Sequence, residues 1–217
     1  HANRKIGRSD ARECAWTGYN EKTPALPAGQ PPHAVKILSA FLPLLGLKEE
    51  LPRSLSFDAP EQSVELPEPV DGGKRVVLFP ESRRAEKNWM GYEPLTRWLL
   101  EQPEVGQVIW CGHVPFEASE PFEDERLVNL TGQTGIAQLP ELLNAADCVV
   151  SNDSGPMHLA AALGRPLVTL FGPTAPERFG PYPPVESRQR VIRRADGDMS
   201  SITLEEVGGA VRSMLEV

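Results

Sequence analysis

The sequence lacks the features that mark membrane-spanning and nucleic-acid-binding proteins. No segment approaches the roughly 18–20 uninterrupted apolar residues of a membrane-spanning helix, which predicts a soluble protein. Its 30 acidic residues outnumber the 22 lysines and arginines, giving a formal net charge of −8. A nucleic-acid-binding protein normally carries a basic stripe along the phosphate backbone, so we predict no nucleic acid partner.

Cysteine and histidine are also scarce. The three cysteines, Cys14, Cys111 and Cys148, lie far apart and form no Cys-x-x-Cys motif. An odd number of widely spaced cysteines is typical of reduced thiols in the cytoplasm. The four histidines are scattered, and no Asp-x-Asp pair stands at the end of a predicted strand. We therefore predict neither a zinc site nor any other metal site.

What the sequence does contain, from Arg75 onward, is an alternation of short apolar runs and amphipathic stretches. The predicted strands are 75–79, 107–111, 127–130, 147–151, 166–171 and 189–192, and the predicted helices are 92–102, 136–146, 155–163 and 203–215. Continuous apolar strands, each followed by a helix, indicate a parallel sheet covered on both faces. The predicted fold class is therefore α/β, with a Rossmann-like doubly wound parallel sheet. Ligands of such sheets bind beyond the carboxyl ends of the strands, where we expect the functional residues.

The first seventy residues have a different character. Only 34–45 shows a helical pattern, in which Pro43 should shorten the last turn. Residues 1–33 have no clear periodicity, and 48–74 reads as a polar, proline-rich linker. The chain starts at His1 without an initiator methionine or a leader, from which we expect a processed or truncated start.

The segment 152–158 (NDSGPMH) is the densest candidate site, because it follows a predicted buried strand and opens a predicted helix. Asp153 or Ser154 can cap this helix, and Gly155 permits a close backbone approach. Free N–H groups at the positive end of a helix favour phosphate oxygens, and His158 can donate to the same anion. The alternative is a well-capped structural helix with a buried polar histidine.

The loop 80–89 (PESRRAEKNW) is a second candidate, after the first strand of this half of the chain. It holds three cations and the hydroxyl of Ser82. Lys87, followed by Trp89, would set an ammonium against a phosphate while the ring packs into the protein. The alternative is a solvated charged loop, the usual fate of such runs.

A third segment, 171–182, is rich in proline and glycine, and Thr174 and Glu177 have the spacing of a capping box. A rigid loop at the end of a strand suits the shaping of a ligand site, but it is equally compatible with plain architecture. Other chemistries are disfavoured. The sequence has no GxSxG elbow for a hydrolase and neither GxGxxG nor GxxxxGK[ST] for a bound nucleotide.

Three motifs together resemble a known family: Leu130-Thr131-Gly132, the stretch 146–164, and Phe171-Gly172-Pro173-Thr174. In this order and spacing they are similar to family 9 glycosyltransferases, the ADP-heptose:lipopolysaccharide heptosyltransferases and their relatives. The resemblance covers roughly 75–217. It implies the two-domain GT-B arrangement, with 71–217 as the carboxyl-terminal domain that binds the nucleotide sugar. Residues 1–70 would then be a partial amino-terminal, acceptor-side domain with its linker.

The resemblance also implies the reaction and its participants. The expected enzyme is an inverting, metal-independent glycosyltransferase without a cofactor. It would transfer heptose or a related sugar from a nucleoside-diphosphate sugar such as ADP-heptose to a lipopolysaccharide core acceptor. The expected partners are this donor and a lipid-anchored glycan. The expected location is the cytoplasm, with peripheral association at the inner membrane.

The resemblance assigns one set of residues to substrate binding: Ser82, Lys87, Glu117, Asp153, Ser154, Gly155 and His158. Among them, Lys87 would offset the charge on the leaving nucleoside diphosphate and is the one assigned to catalysis. Glu117 would meet the ribose of the donor. Ser82 lies in a stretch that departs from the small-residue and threonine pattern of the family.

The amino-terminal domain of the family supplies a carboxylate base, and this is where the sequence departs most from the pattern. We find no strand near the start that is followed by a glycine-rich, Asp-bearing loop. We therefore expect the general base to lie outside this chain, as part of a missing amino-terminal segment. Two alternatives stay open: a non-catalytic module that binds nucleotide sugars, and another sugar-nucleotide enzyme on the same fold.

Overall fold

The structure is a computed structural model, and it describes residues 3–25, 29, 32–48, 50–51, 56, 64–194 and 196–217. The chain divides into two compact units. The first comprises His1–Arg53 with Glu177–Phe179, and the second comprises Ser54–Pro176 with Gly180–Val217.

The first unit contains two short strands, which sequence analysis did not predict in 1–33. Strands β1 (Ile6–Arg8) and β2 (Glu21–Thr23) pair in parallel. Each has only three residues, too few for an apolar periodicity to show. A 3₁₀ turn at Ala15–Gly18 lies between them.

Helix α1 of the first unit (Ala34–Ser39) is shorter than the pattern over 34–45 predicted. Pro43 has no N–H to donate to the carbonyl of Ser39, as a continuing helix would require. Leu42 donates to that carbonyl instead, at 2.9 Å, and the segment Pro43–Leu45 forms a separate 3₁₀ turn. The prediction that Pro43 would shorten the helix is confirmed, and the loss amounts to about one and a half turns rather than the last turn alone.

The second unit is built on a six-stranded parallel sheet in the order β5-β4-β3-β6-β7-β8. The strands are β3 (Lys74–Phe79), β4 (Val105–Trp110), β5 (Leu127–Asn129), β6 (Cys148–Asn152), β7 (Leu167–Phe171) and β8 (Gln189–Arg193). The strand order reverses direction between β3 and β6, as it does in a Rossmann fold. The predicted fold class is thus confirmed.

Alternate side chains of a strand point to opposite faces of the sheet, and here both sets are apolar. Helices therefore cover both faces. These helices are α2 (Tyr92–Leu100), α3 (Leu139–Asn144), α4 (Gly155–Ala162) and α6 (Leu204–Leu215). A further short helix, α5 (Pro176–Phe179), lies almost wholly in the segment 177–179 that belongs to the first unit. Val76 and Leu78 belong to the cluster that includes buried side chains of α2 and α6. The intervening Val77 and Phe79 are equally buried, on the other face, and α4 packs on β6 and β7 with α3 beside it. No helix formed by the described residues is long and apolar enough to cross a membrane.

The structure confirms the predicted start of one helix and contradicts the predicted start of another. The capping box at the start of α6 is confirmed, since Thr203 and Glu206 each bond to the backbone N–H of the other. The predicted continuous helix over 136–146 is wrong: the segment Ile136–Gln138 is a 3₁₀ turn that precedes α3. Pro140 cannot donate to the carbonyl of Ile136, so α3 starts anew with this proline in its first turn. Ile136, predicted on the buried face, is 84% exposed.

Candidate functional site

The candidate site lies at the carboxyl edge of the sheet, where β3 and β6 are neighbours. The connections that follow these two strands run to opposite sides of the sheet, which opens a crevice between them. The loop 80–91 follows β3, and Asp153 follows β6. Two of the segments that sequence analysis selected therefore meet at the topological switch point.

Asn152, the last residue of β6, fixes the loop after β3 at both ends. Its side chain is buried. The amide Nδ2 donates to the carbonyl of Pro80 at 3.1 Å, and Oδ1 accepts from the backbone N–H of Trp89 at 3.4 Å. The indole of Trp89 is also buried and donates to the carbonyl of Ile202 at 2.9 Å. Lys87 thus sits on a loop whose ends are held by the sheet and the protein interior.

Lys87 and Asp153 form an ion pair at the centre of the site, with 2.6 Å between Nζ and Oδ2. Their side chains are only 14% and 6% exposed. Thr174, in the loop after β7, donates its hydroxyl to the same Oδ2 at 2.5 Å. One carboxylate therefore links the loops that follow three adjacent strands, β3, β6 and β7. Since both charges are largely shielded from water, removal of either partner would leave a buried, unpaired charge.

Helix α4 begins beside this ion pair, and its first turn is not capped by a side chain. Ser154 is the N-cap residue, but its side chain makes no capping hydrogen bond. Its Oγ lies 3.1 Å from Oγ of Ser151 instead. The expectation that Asp153 or Ser154 caps α4 is therefore wrong, because Lys87 and Thr174 bind Asp153 and Ser151 contacts Ser154. The positive end of α4 is left for another acceptor.

Gly155 and His158 lie on the first turns of α4, and both are exposed. A Cβ added at Gly155 would meet no described atom within 4 Å. The backbone at the start of the helix is therefore open to the approach of a ligand. The imidazole of His158 is not the buried polar side chain of the structural alternative, which is wrong in this respect.

The two remaining residues of the predicted site, Ser82 and Glu117, lie on different loops, after β3 and between β4 and β5. The hydroxyl of Ser82 donates to the carbonyl of Arg84 at 2.9 Å, and its N–H donates to Oδ1 of Asn88 at 2.8 Å. Ser82 therefore shapes the turn that carries Lys87. Glu117 is exposed on the loop between β4 and β5, next to Phe116, whose N–H donates to the hydroxyl of Thr131 at 2.8 Å.

Sequence reasoning missed the roles of Asn152 and Thr174. A buried amide at the end of an apolar strand needs hydrogen-bond partners, and this signal pointed to Asn152. Thr174 has the spacing of a capping box, but α5 begins at Pro176 with Ala175 as its N-cap residue, and no side chain caps it. The hydroxyl of Thr174 bonds to Asp153 instead.

The groups gathered at this edge of the sheet are of the kinds that attract an anion. An ammonium, an uncapped helix start and an exposed imidazole lie on neighbouring loops at one edge of the sheet. The cysteines of the second unit are not poised as nucleophiles, since burial raises the pKa of the Cys111 and Cys148 thiols. In the part of the chain that the structure describes, no three histidine, cysteine or carboxylate side chains are grouped as metal ligands.

Comparisons with known proteins agree with this geometry. The family profile described as "Glycosyltransferase family 9 (heptosyltransferase)" matches residues 2–205. Lipopolysaccharide heptosyltransferase 2 of Escherichia coli (strain K12) is 37% identical over 128 residues, which cover 59% of this chain and 29% of that protein. Lipopolysaccharide core heptosyltransferase OpsX of Haemophilus influenzae is 27% identical over 191 residues, covering 82% of this chain and 52% of that protein.

The similarity extends to three dimensions. The solved structure of the E. coli heptosyltransferase WaaC with ADP matches with a TM-score of 0.65 and 25% identity. This match covers 97% of the present chain and 65% of WaaC. The chain thus spans 29% and 52% of the two curated relatives and less than two thirds of this structure. Because the family profile matches nearly the whole sequence, the chain belongs to glycosyltransferase family 9, the heptosyltransferase family.

Proposed function

We propose that the crevice between β3 and β6 binds the diphosphate of a nucleotide sugar, in an enzyme that transfers the sugar to lipopolysaccharide. One observation carries the proposal: the ammonium of Lys87 is held at the switch point of the sheet, beside the uncapped start of α4. Both features attract phosphate oxygens, and they converge from two different loops.

The chemistry of glycosyl transfer explains why positive charge is needed there. The transition state resembles an oxocarbenium ion, and negative charge grows on the departing diphosphate. Lys87, the N–H groups of Gly155 and its neighbours, and His158 would stabilise that charge. These groups supply positive charge without a metal ion, which favours a metal-independent reaction.

The ion pair with Asp153 suits this role. Without a ligand, the carboxylate keeps the ammonium in place and compensates its charge at small solvent exposure. When a diphosphate arrives, the ammonium can bind phosphate oxygens and the carboxylate together, since it carries three donors. Thr174 holds the carboxylate during this exchange. Asp153 would also accept hydrogen bonds from hydroxyl groups of the donor sugar.

The substrates proposed are ADP-heptose, or a similar nucleotide sugar, and a lipid-anchored lipopolysaccharide core glycan. The names of the curated relatives, and the solved structure of WaaC with ADP, support this choice. We further propose that transfer inverts the anomeric centre and takes place in the cytoplasm at the inner membrane. Glu117 would meet the ribose, and Ser82 would line the phosphate side of the crevice.

The domain assignment is part of the same proposal. Residues 71–217 would form the donor-binding domain, and 1–70 would belong to the acceptor-side domain and its linker. The base that deprotonates the acceptor would come from a segment outside this chain. The chain spans only part of its relatives, so a second candidate function is a module that binds the nucleotide sugar without turning it over.

Replacement of Lys87 by alanine tests the diphosphate assignment. Lys87→Ala removes a charge-assisted hydrogen bond and leaves Asp153 to repel the ligand. We therefore expect ADP binding to weaken by about 1–3 kcal/mol, measured by isothermal titration calorimetry.

Arg84→Ala is the matched control, because it removes the same charge from the same loop. Arg84 pairs with Glu86 at the surface, where both side chains are more than half exposed. We expect the control to bind ADP nearly as well as the unchanged chain. Equal affinities of the Lys87 variant and the unchanged chain would refute the assignment.

A further inference from the structure

A second cavity lies at the opposite, amino-terminal edge of the six-stranded sheet, with a volume of about 300 Å³. Four polar residues that begin or precede adjacent strands line it: Lys74 at β3, Asp147 before β6, Arg165 before β7 and Arg188 before β8. Apolar side chains from the C-terminal end of α6 and beyond, Met214, Leu215 and Val217, form another part of its wall.

The polar residues of the cavity carry an excess of positive charge. Three cationic side chains and one acidic side chain, that of Asp147, line the cavity, and the Asp147 carboxylate is already bound at both oxygens. Oδ1 of Asp147 lies 3.3 Å from Nζ of Lys74, and Oδ2 accepts the backbone N–H of Arg75 at 2.8 Å. Among the described residues, the ion pairs within 4.0 Å include neither Arg165 nor Arg188. Neither guanidinium group is therefore in direct contact with a carboxylate in this part of the structure.

The contacts with helix ends use only some of the hydrogen-bond donors of Arg165 and Arg188. Arg165 donates to the carbonyl of Ala146 after α3, and Arg188 donates to the carbonyl of Gly164 after α4 at 2.9 Å. Such contacts to the ends of helices are common, but each guanidinium has five N–H donors. In the described structure, the Nε of Arg165 is buried without a hydrogen-bond partner. The guanidinium of Arg165 therefore has more hydrogen-bond donors than its contact with Ala146 uses.

The two guanidinium groups also act on each other. Burial is the main cause that lowers the pKa of Arg165; the charge of Asp147 raises this pKa, and the charge of Arg188 lowers it to a smaller extent. An anion between the two groups would remove this repulsion. Guanidinium groups match the geometry of phosphate oxygens because they donate two parallel hydrogen bonds.

We propose that this cavity binds a phosphate group, held by Arg165, Arg188 and Lys74, with the apolar wall against the moiety that carries the phosphate. The cavity and the crevice of Lys87 lie at opposite edges of one sheet, so this site is independent of the function proposed above. The same chemistry is offered by a soluble phosphate compound and by the headgroup of an anionic phospholipid. The two sources are separated by experiment.

NMR titration of the isotope-labelled chain with inorganic pyrophosphate tests the proposal. Backbone signals of Gly164, Leu167 and Leu215 report on the cavity, whereas those of Ser154 and Gly155 report on the crevice at the other edge. We expect saturable shifts of the cavity signals. Arg188→Gln should weaken this binding about tenfold or more, the effect of losing one charge-assisted hydrogen bond.

Arg190→Gln is the matched control, since it removes the same charge two residues away, at an exposed position in β8. It should leave the cavity titration within about twofold of the unchanged chain, as expected for a screened surface charge. Absence of saturable shifts at the cavity signals would overturn the proposal, and so would equal losses in both variants.

Sedimentation with vesicles identifies the source of the phosphate. Binding to phosphatidylglycerol vesicles but not to phosphatidylcholine vesicles, lost in Arg188→Gln alone, would support the proposal with a lipid headgroup as ligand. Pyrophosphate binding without vesicle binding would support it with a soluble phosphate compound as ligand.

Discussion

At the scale of single residues, Asp153 sets the charge of the candidate site. Its carboxylate compensates Lys87 where both side chains are largely shielded from solvent. Asp153→Asn keeps the size of the side chain and an oxygen for Thr174, but it leaves the ammonium unpaired. We expect the ligand-free chain to lose about 1–3 kcal/mol of unfolding free energy, because an uncompensated charge stays buried. A diphosphate would restore the compensation, so ADP should bind about three- to tenfold more tightly.

Chemical denaturation with and without ADP measures both effects of this substitution. Thr174→Val is the control, since it removes the hydroxyl contact and retains the ion pair. It should change ADP affinity less than Asp153→Asn does, because the charge of the carboxylate stays beside Lys87. Weaker ADP binding by Asp153→Asn would show that the carboxylate contacts the ligand directly instead of tuning Lys87.

The positions of the site residues were predictable from the sequence, but their partners were not. Asp153 and Lys87 each follow an apolar run, and the carboxyl ends of parallel strands share one edge of a sheet. Their pairing joins residues 66 positions apart and depends on the strand order, which places β3 beside β6. Thr174 and Glu177 have the spacing of a capping box, but two residues can have this spacing by chance. Thr174 is not the N-cap residue of α5, and its hydroxyl bonds to Asp153.

At the scale of elements, Glu93 in the first turn of α2 fastens the loop between β4 and β5. Its carboxylate accepts the N–H and hydroxyl of Ser119, at 3.0 and 2.9 Å, and a guanidinium N–H of Arg97 at 3.0 Å. The backbone N–H of Ser119, followed by Arg97 and the Ser119 hydroxyl, lowers the pKa of Glu93 to about 2 from its ordinary 4.5. The loop that carries Glu117 is thereby held to the helix.

This lowered pKa predicts how stability depends on pH. A depressed pKa in the folded state stabilises the protein above the unfolded pKa, and the contribution is lost as pH falls from about 4.5 to about 2. We expect Glu93→Gln to be less stable than the unchanged chain by about 1–2 kcal/mol at neutral pH, allowing for the 18% exposure of the side chain. The difference should close in that acidic range.

Urea denaturation at neutral pH and near pH 3 checks this expectation. Glu101→Gln removes the same charge from the exposed C-terminal end of α2 and serves as the control. It should cost less stability than Glu93→Gln at neutral pH, since none of the hydrogen bonds and ion pairs of the described residues involves the Glu101 carboxylate. A gap between Glu93→Gln and the unchanged chain that stays constant with pH would rule out the carboxylate as its cause.

Which elements were predictable depended on their length and on proline. The buried strands β3, β6 and β7 were recognisable because each contains a run of four or five apolar or small residues, a pattern typical of a buried strand. The three-residue strands β1 and β2 gave no such signal. Pro43 and Pro140 stood inside apolar patterns of helical spacing, and each interrupted the helix where a carbonyl would have lost its donor.

At the scale of the whole molecule, the question is how much of the reaction this chain can carry out. Transfer needs positive charge for the leaving diphosphate and a base for the acceptor hydroxyl. Under the proposed function, the loops after β3 and β6 would meet the first requirement. The carboxylate of Asp153, which follows β6, is bound to Lys87 and Thr174. The chain spans 29% and 52% of two curated relatives, so we expect the base to come from the remainder of such a protein.

We therefore expect binding and turnover to separate. The chain should bind ADP, but it should not accelerate ADP release from ADP-heptose in the presence of a lipopolysaccharide acceptor. A chimera that adds the amino-terminal segment of the E. coli lipopolysaccharide heptosyltransferase 2 should gain release that depends on the acceptor, because the segment would bring the base. Lys87→Ala in the chimera should abolish this gain, whereas Arg84→Ala should preserve it. Acceptor-dependent release by the present chain alone would place the base within its 217 residues, and a chimera that binds ADP without turnover would favour a module that only binds the donor.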